Sequence, residues 1–231
     1  MNLVIVESPA KAKTINKYLG KDYLVLASYG HIRDLPSKNG SVDPEKKFEM
    51  LWEIDSFSKK YLKEITDAAE DSKKIILATD PDREGEAIAW HVKEVLEKKK
   101  LLKDKHLERV VFNEITKKAI LDAIKNPRKI HLPLVEAYLA RRALDYLVGF
   151  NISPILWTKL PGSKSAGRVQ SVALKLITER EKEIELFNPE EYWTLSSDFT
   201  NKDNKNIISK LSLFNGEKVE RFTFKNKEEI N

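Results

Sequence analysis

The chain has 231 residues, of which 41% are hydrophobic and 33% are charged, and its formal net charge is +5. This apolar content is enough for one large packed domain or two modest ones, whereas no apolar run approaches the roughly 20 residues of a membrane-spanning helix. The first apolar run has no basic stretch before it, which argues against a secretory leader. The absence of cysteine excludes disulfide scaffolds and thiol chemistry and fits a cytoplasmic protein.

The positive charge is concentrated in one part of the chain. Residues 125–188 contain 11 basic and 6 acidic residues, whereas residues 1–60, 61–124 and 189–231 are each close to neutral. If an acidic polymer binds, this segment is where we expect it. A solvated helical surface is the alternative that charge alone leaves open.

The first half of the chain alternates apolar runs with helix patterns, which predicts a parallel sheet flanked by helices. The predicted strands are 3–6, 23–29, 74–79 and 109–112, and the predicted helices are 9–19, 57–70, 82–99 and 116–126. Ser8 and Pro9 provide the expected start of the first helix, and Gly20 its end. Asn39-Gly40 lies in a predicted loop over 38–44.

The pattern changes in the second half. Two amphipathic helices are predicted over 132–148 and 169–186, joined by a loop that contains Pro154, Pro161 and Gly162. Three strands follow at 193–199, 207–214 and 219–224, with a turn at Asn215-Gly216. We therefore expect three parts, a mixed α/β domain over 1–115, a helical basic region over 116–188 and the start of a β-rich domain over 189–231. Because three strands cannot easily form a sheet sandwich alone, we expect the chain to be part of a larger protein.

Three carboxylates, Asp80, Asp82 and Glu84, alternate where a predicted strand ends and a helix begins. In an open α/β sheet this position faces the ligand crevice, and burying such a set without a cation is costly. Oxygen ligands without His or Cys favour Mg²⁺ over zinc. The alternative is that the acids are favourable charges at a helix N-terminus, neutralised by Arg83.

Glu7 ends the first predicted strand much as Asp80 follows the third. Lys11 lies in the first turns of the next helix, whose N-terminus favours phosphate. A carboxylate, a lysine and a metal around one anion suit phosphoryl transfer. Alone, a glutamate before a Ser-Pro cap is unremarkable.

Six ordered segments, which together span nearly all of residues 1–195, resemble the N-terminal part of bacterial DNA topoisomerase I, a type IA topoisomerase. They are ESPAKAKTI, SYGHIRDLP, TDPDREGEAIAWH, FNEIT, ARRALDYLVGFNISPILW and SAGRVQSVALKLITERE. The resemblance implies a TOPRIM domain, a Rossmann-like parallel sheet, with Glu7, Asp80, Asp82 and Glu84 around Mg²⁺. It further implies that Lys11 assists cleavage at the scissile phosphate. His31, otherwise an ordinary loop histidine, matches a position that contacts DNA.

The basic segment contains Arg141, Arg142 and Asp145 at spacings that a helix brings together. The arginines suit phosphates, and Trp157 offers a stacking surface for an unpaired base. A helical bundle with structural ion pairs and a core tryptophan is the alternative. The resemblance instead implies single-stranded DNA binding by these residues and by the SAGRVQ segment, with the aromatic face of Phe150 retained. The members of that segment are Ser165, Ala166, Gly167, Arg168, Val169 and Gln170.

The sequence departs from the family pattern at Leu139, which replaces a glutamine, and at Tyr146, which replaces a basic residue. Phe150 stands where tyrosine is common. None of the seven tyrosines lies in a segment like ITYxRTD, where type IA enzymes have their nucleophile. We therefore expect DNA binding without cleavage by this chain.

The complete enzyme is expected to be a monomer that binds single-stranded regions of negatively supercoiled duplex DNA. It would relax that DNA through Mg²⁺-dependent, ATP-independent cleavage and religation, with a 5′-phosphotyrosine link. A noncatalytic DNA-binding remnant, or another TOPRIM enzyme such as a primase or nuclease, is the alternative.

Overall fold

The computed structural model describes residues 1–230, which divide into two compact units, Met1–Ser171 and a second that begins at Val172. The helices are α1 (Pro9–Leu19), α2 (Ser58–Glu70), α3 (Arg83–Lys98), α4 (Lys117–Lys125), α5 (Leu132–Lys159) and α6 (Arg168–Glu185). The strands of the first unit are β1 (Asn2–Val6), β2 (Tyr23–Ala27), β3 (Arg33–Asp34), β4 (Val42–Asp43), β5 (Glu49–Met50), β6 (Glu53–Ile54), β7 (Lys74–Leu77) and β8 (His106–Arg109).

A four-stranded parallel sheet, in the order β2-β1-β7-β8, forms the centre of the first unit. Because successive residues of a strand point to opposite faces, Leu3 and Ile5 pack with the apolar faces of α2 and α3. Val4 and Val6 pack on the other face with α1 and α4. The predicted fold class, a Rossmann-like α/β unit followed by helices and small antiparallel strands, is confirmed.

Side-chain caps set the starts of three helices where the sequence predicts them. The Ser8 hydroxyl accepts a bond from the Lys11 amide, the Asp82 carboxylate accepts one from Gly85, and the Thr116 hydroxyl accepts one from Ala119. These caps place the N-termini of α1 and α3 immediately after strands β1 and β7. The two helix starts therefore face the edge of the sheet where Glu7 and Asp80 lie.

Two predictions in this unit were wrong. The expected loop around Pro154 is helical, and α5 continues to Lys159, because proline removes one amide donor without excluding helical φ. The fourth strand is His106–Arg109 rather than 109–112. Its edge position accommodates polar residues, and Arg109 exchanges reciprocal backbone bonds with Arg128.

The segment between β2 and α2 contains two short antiparallel ladders, β3 with β6 and β4 with β5, which the sequence pattern did not predict. Two-residue strands are too short to show an alternating pattern. They fix the position of the His31–Ser41 stretch, which lines the site described below.

The second unit contains the hairpin of β9 (Ser196–Thr200) and β10 (Asn206–Lys210), and that of β11 (Leu213–Phe214) and β12 (Glu217–Lys218). Asn215 and Gly216 both have positive φ, as a tight hairpin turn requires, so the predicted turn is confirmed. The strand predicted over 219–224 was wrong. That stretch is irregular, and Phe224 is buried there against Phe214.

Within residues 1–230, no helix combines the length and the apolar character needed to cross a membrane.

Candidate metal and nucleic-acid site

The carboxyl ends of two adjacent parallel strands bring acidic side chains together. Glu7 directly follows β1, and Asp80 lies three residues beyond the end of β7. The Lys11 ammonium donates to Asp80 Oδ1 at 2.5 Å and also to Glu7 Oε1. The structure therefore places the two predicted acids around one positive charge at the N-terminus of α1.

The charge on Lys11 is stabilised by this arrangement. Partial burial works against the ammonium, but the bonds with Asp80 and Glu7 outweigh it and raise the pKa of Lys11 above its ordinary value. Lys11 is consequently a proton donor and a positive charge at neutral pH, and not a general base. Such a charge suits a position near a phosphate, and the role of Lys11 there stays a prediction.

The other two predicted acids lie in the loop that joins β7 to α3. Asp82 accepts a bond from the Gly85 amide at 2.7 Å and so caps α3, while Glu84 lies exposed in its first turn. The loop is tightly folded, because a Cβ on Gly85 would lie 2.1 Å from the Asp80 carbonyl oxygen. Asp82 therefore caps the helix, as the alternative interpretation of the acids predicted. Its second carboxylate oxygen stays available.

A buried ion pair stabilises this loop. Glu86, which is fully buried, accepts bonds from Arg109 Nε at 3.0 Å and from Arg128 Nη2 at 2.5 Å. It also accepts a bond from the His131 amide. Burial alone raises the pKa of Glu86, but these donors outweigh it and lower that pKa below its ordinary value. Glu86 therefore links α3, the sheet edge and the start of α5 as a carboxylate.

The donor chemistry of this edge fits a divalent cation. Glu7 Oε2 is buried without a hydrogen-bond partner, and the Glu7 and Asp80 carboxylates already converge on a cationic group. Among residues 1–230, however, no three acidic or histidine side chains form a ready-made metal cluster. Mg²⁺ is satisfied by one or two carboxylates plus water and phosphate oxygens, so Glu7 and Asp80 could hold it, while ligation by Asp82 and Glu84 stays a prediction.

His31 connects the acidic loop to the helical part of the site. Its ring stacks on Tyr138 of α5 with centroids 5.0 Å apart, and Tyr138 Oη lies 3.4 Å from His31 Nδ1. Burial lowers the pKa of His31, opposed by the charges of Glu84, Asp34 and Asp82. Burial also raises the pKa of Tyr138 to about 12. At neutral pH a neutral imidazole thus faces a protonated phenol.

The predicted arginines are held by aspartates in forked pairs. Arg142 donates from Nε and Nη2 to the two Asp34 oxygens, both at 2.7 Å. Arg168 donates in the same way to Asp145, at 2.9 and 3.3 Å. Arg141 Nε lies 3.7 Å from Asp145 Oδ2. Such pairs fix the plane of the guanidinium and leave Nη1 free of these aspartates for a phosphate.

These pairs border a groove of about 570 Å³ between α5, the 35–39 stretch and the SAGRVQ segment. Trp157 is 56% exposed, and its Nε1 donates to the Lys164 carbonyl at 2.6 Å. It is therefore a surface ring, and a core tryptophan is excluded. Phe150 stacks on Tyr146 with centroids 4.4 Å apart. Six predicted residues line the groove together with Tyr146, namely Arg142, Asp145, Phe150, Trp157, Ser165 and Ala166.

The rest of the SAGRVQ segment forms the start of α6. Gln170 folds over Gly167, where a Cβ would meet its Oε1 at 3.3 Å, and the Ala166 amide donates to Ser153 Oγ at 3.0 Å. Val169 is exposed in the first turn of the helix. The roles of these residues in DNA binding stay predictions.

Several residues of the site were missed by the sequence analysis. Asp34, Tyr138 and Arg109 each hold a predicted site residue in place, and Glu86 in turn holds Arg109. The i,i+4 spacing of Tyr138 and Arg142 places them on one face of α5 and is the one local pattern from which Tyr138 follows. The other contacts join residues far apart in sequence.

Two family models match the chain. The Toprim domain matches residues 2–115, and the DNA topoisomerase family matches residues 129–231. The sheet, the acidic loop and the basic groove described above lie within these two matches. They define the chain as a Toprim domain followed by part of a DNA-processing topoisomerase.

Individual relatives make the family more specific. DNA topoisomerase 1 of Zymomonas mobilis is 59% identical over 227 residues, which is 98% of this chain and 19% of the relative. DNA topoisomerase 1 of Rickettsia felis is 59% identical over 230 residues, 99% of this chain and 30% of the relative. The structure is also similar to full-length topoisomerase I from Thermotoga maritima, with a TM-score of 0.74 at 41% identity, over 99% of this chain and 36% of that one. The chain belongs to the bacterial DNA topoisomerase I family, the type IA topoisomerases, and spans less than a third of the length of these curated relatives.

Proposed function

We propose that this chain supplies the metal-binding and DNA-binding parts of a type IA topoisomerase, which relaxes negatively supercoiled DNA without ATP. The observation that carries the proposal is the convergence of Glu7 and Asp80 on Lys11 at the N-terminus of α1. Carboxylates, an ammonium and a helix N-terminus together provide what a transferring phosphoryl group needs. The enzyme works in the cytoplasm as a monomer.

In the proposed reaction, the phenolic oxygen of a tyrosine from outside this sequence loses its proton to water and attacks the phosphorus of one DNA strand. A 5′-phosphotyrosine bond forms as the 3′ oxygen leaves, and Lys11 gives that oxygen its proton. Glu7, Asp80, Asp82 and Glu84 would hold Mg²⁺, which would supply charge stabilisation to the phosphate. Religation reverses the same steps after another strand has passed, so no cofactor is consumed.

The groove holds the single strand whose phosphate reacts. Arg142 and Arg168, oriented by Asp34 and Asp145, bind its backbone, while Trp157 and Phe150 present aromatic faces to unpaired bases. His31, stacked on Tyr138, lies between this groove and the acidic loop and contacts the strand there.

Complementation tests the catalytic part of the proposal. The chain is mixed with a separately produced, tyrosine-bearing remainder of the Rickettsia felis relative, and relaxation of a negatively supercoiled plasmid is followed. We expect Mg²⁺-dependent relaxation from the mixture and none from the chain alone. Asp80→Asn should abolish it, whereas Asp104→Asn, outside the acidic loop, should not. Relaxation by the chain alone, or metal-dependent nicking without a covalent protein–DNA product, contradicts the proposal.

Salt-dependent binding tests the groove. Arg168→Ala should weaken binding of a single-stranded oligonucleotide and reduce the slope of log affinity against log salt by about 0.7, the value for one phosphate contact. Arg180→Ala is the control, because that arginine is exposed on α6 and pairs with Glu183. Unchanged affinity for Arg168→Ala removes this residue from the DNA site.

A further inference from the structure

Three aromatic side chains lie together where the chain leaves β2, outside the groove described above. Tyr29 follows β2 and stacks on Tyr61 of α2 with ring centroids 3.7 Å apart and planes 19° apart. Phe57, at the start of α2, meets the edge of Tyr61 at 5.4 Å. We refer to Tyr29, Phe57 and Tyr61 as the aromatic platform.

The platform is exposed although its rings are large. Tyr29 is 41% exposed and Phe57 is 63% exposed. Stacking between two of its rings already buries one face of each, so the remaining open faces serve no packing purpose within residues 1–230. Large apolar side chains clustered at the surface mark an interaction site more often than single ones do.

The backbone holds Tyr29 firmly in this place. Its φ is +58°, in the left-handed region that a residue other than glycine seldom adopts. The amides on either side of it, Ser28 and Gly30, donate to the Val6 and Glu7 carbonyls at 2.8 and 3.0 Å. Strained backbone of this kind persists where the surroundings enforce it, commonly at functional sites. The backbone of Tyr29 is thereby fixed beside the backbone of Glu7, the acid that ends β1.

The start of α2 is fixed to the same place. Ser58 Oγ donates to the His31 carbonyl at 3.1 Å, so Phe57 and Tyr61 are held against the turn that carries His31. Exposed lysines at 59, 60 and 63 follow on α2, and the first turn of the helix contains no acidic residue. Alternating aromatic and basic residues are the composition that single-stranded nucleic acid binds.

We propose that the aromatic platform is a second base-stacking site, which binds an unpaired nucleobase of the DNA strand next to the reacting phosphate. The proposal rests on the proposed function, since both place single-stranded DNA at this edge of the sheet. It adds a contact to the DNA strand from α2 and the segment after β2, whereas the contacts in the groove come from α5 and α6. The lysines of α2 bind the phosphates that flank the stacked base.

The test measures binding of a single-stranded oligonucleotide and of a duplex of the same length to the full chain. Tyr29→Asn removes the ring while keeping a residue that tolerates left-handed backbone. Phe57→Ala removes an exposed ring. Each should weaken single-strand affinity about tenfold, within the range for one base stacked on an aromatic ring, and leave both duplex affinity and the salt slope unchanged. Tyr29→Phe should bind as the parent chain does.

Fluorescence of 2-aminopurine placed at successive positions of the oligonucleotide locates the stacked base. We expect quenching at one or two adjacent positions with the parent chain and its loss with Tyr29→Asn. The control is Tyr192→Ala, an exposed aromatic residue of the second unit. Circular dichroism confirms that each variant is folded.

The outcomes separate this proposal from the one on which it rests. If Arg168→Ala weakens binding but Tyr29→Asn and Phe57→Ala do not, the proposal of a base-stacking platform is wrong, and the proposal that the groove binds DNA is supported. If Tyr29→Asn weakens single-strand and duplex binding equally, the platform does not stack a base. If the parent chain binds no single-stranded DNA, both proposals are wrong.

Discussion

Arg109 holds the backbone of Asp80 directly, because its Nη2 donates to the Asp80 carbonyl oxygen at 2.6 Å. The same guanidinium donates to the carbonyls of Thr79 and Val110 at 2.7 and 2.6 Å and pairs with buried Glu86. The chain beyond β7 leaves the sheet ladder, so its carbonyls need other donors. Arg109 provides them and thereby sets where the first acid of the loop lies.

Arg109→Leu should therefore destabilise the first unit by about 3–5 kcal/mol, the usual cost of removing one partner of a buried ion pair. Glu86, with no exposed surface, would lose its most buried donor. Arg128→Leu removes a partly exposed donor to the same carboxylate and should cost less. Urea unfolding of the two variants checks this order. Equal losses would mean that the bonds to the backbone contribute nothing.

The course of the main chain in this unit was largely predictable from local sequence. Strands rich in Val and Ile, the cap at Ser8 and the helix patterns over 82–99 and 116–126 placed β1, α1, α3 and α4 to within one or two residues. Pro154 misled the prediction, since a helix tolerates one missing donor where the residues around it still favour helix. In the second unit, the strand predicted over 219–224 failed because its apolar residues pack in an irregular stretch, which alternation cannot distinguish from a strand.

Gly85→Ala should disturb the acidic loop more than the addition of a single methyl group suggests. Its added Cβ would lie 2.1 Å from the Asp80 carbonyl oxygen and 2.7 Å from the Asp80 nitrogen, and both are backbone atoms. We expect a loss of at least about 1–3 kcal/mol, the range for overpacking. Gly149→Ala is the matched control, since the nearest atom there is 3.8 Å away and a helical alanine gains about 0.5–1 kcal/mol. Thermal unfolding that ranks the two variants in the reverse order contradicts this.

Lys11→Met should tighten the binding of Mn²⁺ or Mg²⁺ by the chain several-fold. The ammonium occupies the space between the Glu7 and Asp80 carboxylates, and an incoming cation competes with it for the same oxygens. Titration calorimetry without DNA measures the effect, with Lys13→Met, an exposed lysine of the same helix, as control. Unchanged or weaker metal binding would show that the ammonium and the metal do not share these ligands.

The site was predictable only in part. The acids and arginines could be named because their residue types and spacing indicate their chemistry. Their partners could not, since Asp34 and Arg142, or Glu86 and Arg128, lie far apart in the chain and meet only through the tertiary fold. The sequence spacing of Arg142 and Asp145 suggested one cluster, whereas the structure gives each of these residues a different principal partner.

The stability of the first unit should fall as the pH drops below about 6.5, because His91 is buried in the neutral form. His91 has no exposed surface, and its Nδ1 accepts a bond from Arg33 Nε at 2.9 Å. Burial, with smaller contributions from the charges of Arg33 and His31, lowers the pKa of His91 to about 2. In the unfolded chain the histidine takes up a proton near pH 6.5, while the folded protein does not. Its contribution is therefore complete above that pH and is lost as the pH falls towards 2.

Between pH 7 and pH 5 this difference amounts to about 2 kcal/mol from His91, and the lowered pKa of His31 acts in the same direction. Glu86 has no part in that window, because a lowered carboxylate pKa matters only below about 4.5. Urea unfolding at the two pH values should show the loss in the parent chain and a clearly smaller loss in His91→Gln. His106→Gln, at an exposed position, should behave as the parent does. A pH dependence that survives His91→Gln undiminished would assign it to other groups, because glutamine can accept the bond from Arg33 but does not take up a proton.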